Sequence, residues 1–345
     1  MNTTTFAKST FFAFLLGLIV SIIGGYLYFG SEGILPQASA EKYILYDNDI
    51  YLASELAGSK RITTNGDIKY LYGHENNLLL LGKQKGKPVP ASEDIGYTNL
   101  YLHKIDSKEE ELISDEPIQS AFFNKHNKNQ IIFVTTSAET KMYDLESKKL
   151  KKLAEKSLNP NVNNASTKVV YKKLSPNWLP GEYLDGSLGL YVTDIQTGQE
   201  NQLTSGEMDY APLWSPNGKY VIFYSNNPEG LNSLFAVNND ASDLVQLSNI
   251  GETFVSDKTV DSPSELPIWS NDGKYIVYES DRRIWVNELD LDNKKLISAK
   301  AIAYGVSPEW VEDGKTISVV TTKASEKSSA ITVMDLEGNI IRNKQ

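Results

Sequence analysis

The sequence predicts an all-β protein, a β-propeller of four-stranded antiparallel blades preceded by one N-terminal transmembrane helix. Three observations predict it: a tight turn that recurs, a two-strand module that recurs along the chain, and an uncharged stretch near the N-terminus. Repeats of roughly 40 to 50 residues are typical of propeller blades, because each blade is a small sheet that must be covered on both faces.

The first element is the uncharged stretch, which begins with Phe11, ends with Phe29 and is about long enough to cross the hydrocarbon core of a bilayer. Lys8 precedes the stretch and Glu32 follows it, which favours an N-terminus in the cytoplasm. We therefore expect contact with the lipid bilayer and a single-pass protein of the cell membrane. The predicted parts are a short cytoplasmic N-terminus (1–8), a signal-anchor helix (9–30), a linker (31–40) and an extracytoplasmic propeller (41–345).

The linker leaves a second route open. Ala38 and Ala40 form the small-x-small pattern after which signal peptidases cut. Cleavage after Ala40 would give a secreted or periplasmic protein. The uncharged stretch is longer than the apolar core of an ordinary secretory signal, so we favour the uncleaved anchor. Both routes place the propeller outside the cytoplasm.

The recurring turn joins two strands of one blade. In its first copy Pro216 fixes the first corner, Asn217 tolerates the second, and Gly218 supplies the positive φ that a bulged hairpin requires. A tryptophan precedes each copy, and we expect these tryptophans to pack between blades more than to bind a ligand. The copies are "LWSPNGKYVIFYS" (213–225), "IWSNDGKYIVYES" (268–280) and "EWVEDGKTISVVT" (309–321), with Trp214, Trp269 and Trp310.

The recurring module is a strand with aromatic residues, a polar turn and a second short strand. An apolar run precedes each copy, and a shorter strand precedes that run, so the unit has four strands, A to D. Seven units of about 44 residues fill the chain, whereas six would need about 52 each, and we favour seven blades over six. The modules lie at 49–63, 99–114, 141–154, 189–204, 233–248, 283–298 and 330–343.

Two of these repeats carry a resemblance to a known family. "PLWSPNGKYVIFYSN" with "LFAVNNDASDLVQLS", and "PIWSNDGKYIVYESD" with "IWVNELDLDNKKLIS", resemble the blades of TolB-like β-propellers. Those blades read W-S-P-D-G-K, an apolar strand, and an I-Y-x-x-D strand that ends in L-T. The resemblance is good over 210–298 and implies a propeller with an extracytoplasmic binding role. TolB itself carries an α/β domain before its propeller, for which residues 30–40 leave no room, so its role in the Tol system is not implied.

Loop lengths point to one end of the blades. We call the end with the B–C and D–A connections the loop end, and the end with the A–B and C–D connections the turn end. All long insertions are at loop ends, where a rigid scaffold displays binding residues together. The insertions are 82–98, 172–189, 225–232, 249–266 and 323–329.

Within these insertions, aromatic residues in Pro/Gly-rich loops are the strongest candidates for ligand contacts, because aromatic anchors are typical of binding hot spots. Trp178 has an equally weighted alternative, in which its ring folds back and plugs the loop against its own blade. The acids near 257–265 lack the spacing of a calcium loop and are expected to be solvated. The candidate ligand-binding residues are Trp178, Tyr183, Asp185, Tyr97, Phe254, Asp257 and Asp261.

Several classes of function are disfavoured. A net charge of −10 without a basic cluster argues against nucleic acid as a partner, and the absence of cysteine excludes disulfides and thiolate metal sites. Neither a phosphate loop nor a G-x-S-x-G elbow occurs. His74, His103 and His126 are not expected to converge on a metal. The sequence thus predicts no cofactor, no metal site and no catalytic residue.

The expected function is therefore that of a membrane-anchored, non-catalytic binding or scaffold protein. Its partner would be an envelope protein, a peptide or a cell-envelope glycan, bound at the loop ends. The alternative is a polysaccharide lyase or hydrolase with acids at the channel mouth, and the acids in question are Asp209, Asp257, Asp261 and Glu265.

Overall fold

The structure is a computed structural model of the 345-residue chain. It describes residues 41–46, 48–54, 58–75, 77–83, 98–179, 186–226, 232–247, 267–280, 282–293, 295–311, 315–323 and 328–344. The predicted cytoplasmic end, anchor and linker lie outside these residues. The part of the chain described above contains no helix long and apolar enough to cross a membrane.

The described chain is all β, and its strands form seven consecutive antiparallel sheets, one with three strands and six with four. Sheet 1 holds β1 (Glu41–Tyr46), β2 (Asp49–Ser54) and β3 (Gly58–Arg61). Sheet 2 holds β4 (Ile68–Glu75), β5 (Leu78–Lys83), β6 (Asn99–Lys104) and β7 (Glu110–Ser114). Sheet 3 holds β8 (Ile118–Phe123), β9 (Gln130–Thr135), β10 (Thr140–Asp144) and β11 (Lys149–Ala154). Sheet 4 holds β12 (Ser157–Val162), β13 (Lys168–Leu174), β14 (Ser187–Asp194) and β15 (Glu200–Gln202).

The remaining three sheets follow the same order. Sheet 5 holds β16 (Asp209–Trp214), β17 (Tyr220–Asn226), β18 (Asn232–Asn238) and β19 (Val245–Gln246). Sheet 6 holds β20 (Ile268–Trp269), β21 (Tyr275–Ser280), β22 (Arg283–Asp290) and β23 (Lys295–Tyr304). Sheet 7 holds β24 (Val306–Val311), β25 (Thr316–Lys323), β26 (Ser328–Asp335) and β27 (Ile340–Lys344).

Each complete sheet is a meander of strands A to D in chain order, as the repeats predict, and the architecture is consistent with a β-propeller. Sheet 1 shows strands B, C and D, and the residues where its strand A was expected lie outside the described part. One boundary differs from the prediction. Strand D of sheet 6 was expected to end at Ser298, but β23 continues to Tyr304, because its pairing with β22 extends to Arg283.

The described residues belong to two compact units, one with sheets 1 to 5 and the other with sheets 6 and 7. In each unit the cores lie between consecutive sheets. Phe133 and Leu80 share one core, and Phe223 and Val170 share another. In the second unit Val277 packs with Ile317. The B strands are buried on both faces because a neighbouring sheet covers each face.

The turn ends are organised by contacts between near neighbours. In sheet 5 the Ser215 hydroxyl donates to Asn217, 2.8 Å away, and accepts the Tyr220 N–H at 3.0 Å. Gly218 has a φ of 68°, as the turn requires.

Two of the tryptophans that precede the turns contact a neighbouring sheet. Trp214 packs with residues of sheet 4, and Trp310 Nε1 donates to the Ile268 carbonyl of sheet 6 at 2.9 Å. Both tryptophans thus pack between sheets.

Candidate binding site at the loop ends

Strand bounds place the longest connections at loop ends. The connection 84–98 joins strands B and C of sheet 2, and 175–186 joins strands B and C of sheet 4. The connection 247–267 leads from strand D of sheet 5 to strand A of sheet 6. The A–B and C–D turns in the described part are all shorter. Three of the five predicted insertions are therefore long. The other two were predicted at 225–232 and 323–329, but strands extend into both ranges, and the remaining connections 227–231 and 324–327 are no longer than the turn-end connections.

A threonine at the end of strand D fastens the loop end of two sheets. In sheet 4 the Thr204 hydroxyl accepts the Leu190 N–H at 3.0 Å and donates to Asp209 Oδ2 at 2.5 Å. In sheet 1 the Thr63 hydroxyl accepts the Ile50 N–H at 2.8 Å and donates to Asp49 at 2.9 Å. Both threonines end an I-T or L-T pair. The L-T ending of the repeat therefore has a physical role, which is to connect strand C, strand D and a buried carboxylate.

The carboxylate of sheet 1 is held by several donors. Besides Thr63, Arg61 and the backbone N–H of Gly66 donate to Asp49. Burial alone would raise the pKa of Asp49, but these hydrogen bonds outweigh burial and hold the pKa below its ordinary value. Asp49 is therefore ionised at neutral pH and stabilises the folded connection.

The carboxylate that Thr204 contacts belongs to Asp209, the first residue of β16 in sheet 5, and it lies near a buried lysine. Lys172, on β13, is buried, and its Nζ donates to the Glu207 carbonyl at 3.3 Å. Burial lowers the pKa of Lys172, and the carboxylate of Asp209 offsets part of this effect. Asp209, one acid of the enzyme alternative, is buried and accepts the Thr204 hydroxyl. Through the hydrogen bond with Thr204, Asp209 stabilises the D–A connection between sheets 4 and 5.

Trp178 begins the B–C loop of sheet 4 and is buried, with 8% of its surface exposed. It packs with Val134 and Ala138 of sheet 3 and with Leu158 and Leu174 of sheet 4. The Lys156 ammonium lies 5.4 Å from the centre of the ring and donates to the Trp178 carbonyl at 2.6 Å. The packing corresponds to the alternative in which the indole folds back against the blade.

Exposed apolar side chains surround this loop. Leu179 follows Trp178 and is 60% exposed, and Leu188, at the start of β14, is 37% exposed. Met208, in the connection from sheet 4 to sheet 5, is 51% exposed. The three residues lie at the loop ends of two consecutive sheets. We call them the apolar rim.

The other candidate residues lie outside the described part of the chain, so the structure assigns them no position. They are Tyr97, Tyr183, Asp185, Phe254, Asp257, Asp261 and Glu265. Leu179, Leu188 and Met208 were missed by sequence reasoning, because a leucine or methionine has no motif. Their positions beside the Pro/Gly loop were the signal that could have found them.

Sheets 2 and 4 share one arrangement of side chains, in which a lysine of strand B contacts a tyrosine of strand C and a glutamate of strand D. The ammonium of Lys83 is 2.6 Å from Glu110 and 5.6 Å from the ring centre of Tyr101. In sheet 4, Lys173 is 2.8 Å from Glu200 and 5.9 Å from the ring centre of Tyr191. Its recurrence in two sheets indicates a structural role.

The three histidines are described, and they do not share a site. His103 is buried on β6, and its Nδ1 lies 3.2 Å from Glu110. His74 is on β4, and His126 is in the A–B turn of sheet 3. Within the described ranges no group of three or more His, Asp or Glu side chains could hold a metal ion.

Sequence comparisons give no relative: no protein-family description matches the chain, and no curated protein matches it. Comparison with solved structures gives several neighbours. Oligogalacturonate lyase from Vibrio parahaemolyticus aligns with a TM-score of 0.58 and 13% identity over 88% of this chain and 84% of that chain. Oligogalacturonate lyase in complex with manganese aligns with a TM-score of 0.56 and 14% identity, with the same coverage of 88% and 84%.

TolB from Acinetobacter baumannii is also a neighbour, with a TM-score of 0.48 and 14% identity over 87% of this chain and 77% of that chain. TolB and oligogalacturonate lyase are both β-propellers. The two oligogalacturonate lyase structures support the fold that the repeats predict, a β-propeller. At such identities the likeness concerns the fold, which hosts both binding proteins and enzymes, and leaves the activity to be argued from the site.

Proposed function

We propose that the chain is a non-catalytic, extracytoplasmic binding or scaffold protein, anchored in the membrane by residues 9–30. It recognises an envelope protein, a peptide or a cell-envelope glycan through the loop ends of its sheets. The single observation that carries the proposal is the apolar rim of Leu179, Leu188 and Met208, which borders the B–C loop of sheet 4.

The apolar rim supports binding because its three exposed residues lie at the loop ends of two consecutive sheets, and exposed apolar side chains at such loops are typical of interaction sites. Two of the three residues adjoin well-anchored positions. Leu179 follows the packed Trp178, and Met208 precedes the buried Asp209. A rigid base under exposed side chains lowers the entropy lost on binding.

The experiment is site-specific photocrosslinking in intact cells. A photoreactive residue at position 188 or 208 is expected to crosslink to one envelope partner. The same residue at Thr197, in the C–D turn of the same sheet, is the matched control and is expected to give no crosslink. Equal crosslinking yields from position 197 and from positions 188 and 208 would contradict a binding site at the loop end. The absence of any crosslink from positions 188 and 208 would contradict it as well.

The enzyme alternative is supported by the structural likeness to oligogalacturonate lyase and by Lys172, a buried amine whose pKa is lowered, as in lysines that accept protons. The purified full chain would be tested against a panel of polysaccharides that includes oligogalacturonate. Turnover that is lost in Lys172→Met and in Asp261→Asn would establish the alternative. Absence of turnover together with the crosslink from position 188 supports binding alone.

A further inference from the structure

The loop end of sheet 6 carries a feature unrelated to the apolar rim. The outer strand β23 is ten residues long, whereas β15 and β19 have three and two residues. Where β23 ends, a cavity of about 200 Å³ is lined by Arg283 and by Ala301 to Tyr304. Alanine at two of these positions leaves room that larger side chains would fill.

An arginine and a tyrosine frame this cavity. Arg283 pairs with Tyr304 across the strands, and its guanidinium carbon lies 5.3 Å from the ring centre of Tyr304. The tyrosine is 69% exposed, so a ligand can reach its ring, and the cationic guanidinium of Arg283 lies beside that ring. Tyrosine and arginine together are the residue types most enriched in binding hot spots.

Two exposed arginines border the cavity. Among the described residues no carboxylate forms an ion pair with Arg282 or Arg283. Strand β23 contains two lysines and no acid, and one of the lysines, Lys300, lies 3.8 Å from Glu337. Glu279 opposes Ile284, so alternation places it on the face of the sheet away from Arg283. In a chain with a net charge of −10, this is a local reversal of sign.

The backbone conformation of the turn that carries Arg282 does not require an arginine. Its φ is 56°, in the left-handed region that asparagine tolerates better than longer side chains do. The equivalent B–C turn of sheet 1 has Asn48 there, with a φ of 59°. Long cationic side chains occupy this region elsewhere in the chain, at Lys108, Lys148 and Lys156, so the conformation by itself assigns no use to the Arg282 side chain. Asparagine can therefore replace Arg282 in a test of binding.

We propose that Arg282, Arg283 and Tyr304 bind an acidic peptide segment of a partner protein, whose carboxylates pair with the guanidinium groups. A peptide is favoured over a glycan because the guanidinium groups suit carboxylates and because β23 is the outermost strand of its sheet in the described residues. The Ile302 carbonyl lies against Gly338 of sheet 7, so the contact with the peptide is assigned to the side chains of Arg282, Arg283 and Tyr304. The arginines offer carboxylates planar, paired donors. The site lies in a different sheet from the apolar rim, so it stands or falls separately from the proposed function.

The test measures binding of a fluorescent, end-blocked hexaglutamate peptide to the full chain in detergent, with hexaglutamine as the control peptide. We expect saturable binding of hexaglutamate that weakens as salt rises, and none of hexaglutamine. Arg283→Ala should weaken the affinity about tenfold, and Tyr304→Ala several-fold. Lys295→Ala removes a charge at the far end of β23 and should leave the affinity within about twofold.

Arg282→Asn separates binding from folding. Asparagine suits the left-handed turn, so the variant should unfold at the same or a higher denaturant concentration while it loses affinity. The proposal is overturned if hexaglutamate does not bind, or if the two arginine variants bind as well as Lys295→Ala does. It is also overturned if a uronic acid tetrasaccharide, and not the peptide, binds in a manner that depends on Arg283.

Discussion

The two ends of sheet 4 are held together in different ways. At the turn end, Asp194 accepts hydrogen bonds from the backbone and hydroxyl of Thr197, three residues away, and these groups are exposed. At the loop end, Thr204 joins Leu190, 14 residues away, to a buried carboxylate, and Lys172 reaches Glu207, 35 residues away. The Asp194–Thr197 contact is thus local and exposed, although the same turn also meets a distant segment, because Ile195 is buried and its carbonyl accepts the Lys151 ammonium at 2.5 Å. The contacts of Thr204 and Lys172 at the loop end differ from the Asp194–Thr197 contact chiefly in their burial.

This difference predicts unequal responses to mutation. Substitutions of buried residues at the loop end should lower the free energy of unfolding more, because they leave buried groups without partners or open cavities in a packed region. Substitutions of exposed residues at the turn end should lower it little, because water replaces the lost contacts.

The largest effect is expected for Trp178→Ala. Removing a buried tryptophan ring should lower the free energy of unfolding by about 3–5 kcal/mol. Leu179→Ala, one residue away and exposed, is the control and should change it by less than about 0.5 kcal/mol. Chemical denaturation measures both. Equal effects would show that the packing around Trp178 does not hold the loop.

The next effect compares two threonines of one sheet. Thr204→Val leaves the Leu190 N–H and a buried carboxylate short of a partner and should cost about 1–3 kcal/mol. Thr197→Val removes an exposed hydroxyl from the turn end and should cost about 0.5 kcal/mol or less. If Thr197→Val proved the more costly of the two, the contrast between the ends would be wrong.

The loop end of sheet 1 should respond to acid. Hydrogen bonds hold the pKa of Asp49 below its unfolded value, so this stabilisation is complete above about pH 4 and is lost as the pH falls through the folded pKa. Because Arg61 is half exposed, solvent screens part of the interaction, and Asp49→Asn should cost about 1–2 kcal/mol at pH 7. The difference in free energy of unfolding between wild type and variant, measured by denaturation, should narrow as the pH falls below about 4. A constant difference would contradict the assigned role.

The smallest effect is expected at the turn end of sheet 5. An added Cβ at Gly218 would meet no atom within 4 Å, so Gly218→Ala costs only the positive φ, about 1 kcal/mol. Gly218→Asn should cost less, because asparagine tolerates this conformation. If the alanine variant were as stable as the wild type, the glycine would not be required by the turn.

Much of the fold could be predicted from the sequence. The W-S-P-N-G-K turn, the strand order within each sheet and the packing of Trp214 between sheets follow from short-range patterns. The extent of β23 could not be predicted, because residues 299–304 carry no strand pattern of their own and pair only because β22 lies beside them.

The candidate site was less predictable. Sequence reasoning chose the loop ends for their long connections and Trp178 for its residue type. The choice between an exposed and a packed indole depended on Val134 and Leu158, which are distant in the chain. Leu188 and Met208 are ordinary residues in sequence, and only their exposure makes them candidates.

The sequence by itself determined the repeating sheet and its turns, because those depend on hydrogen bonds between residues two to five apart, such as Ser215 with Asn217 and Tyr220. Only the tertiary structure decided that Trp178 is packed, that Lys172 is buried beside Asp209, and that Arg283 lies over Tyr304. The reason is physical: burial and charge pairing are set by whichever segments the fold brings together, and no local pattern encodes that meeting.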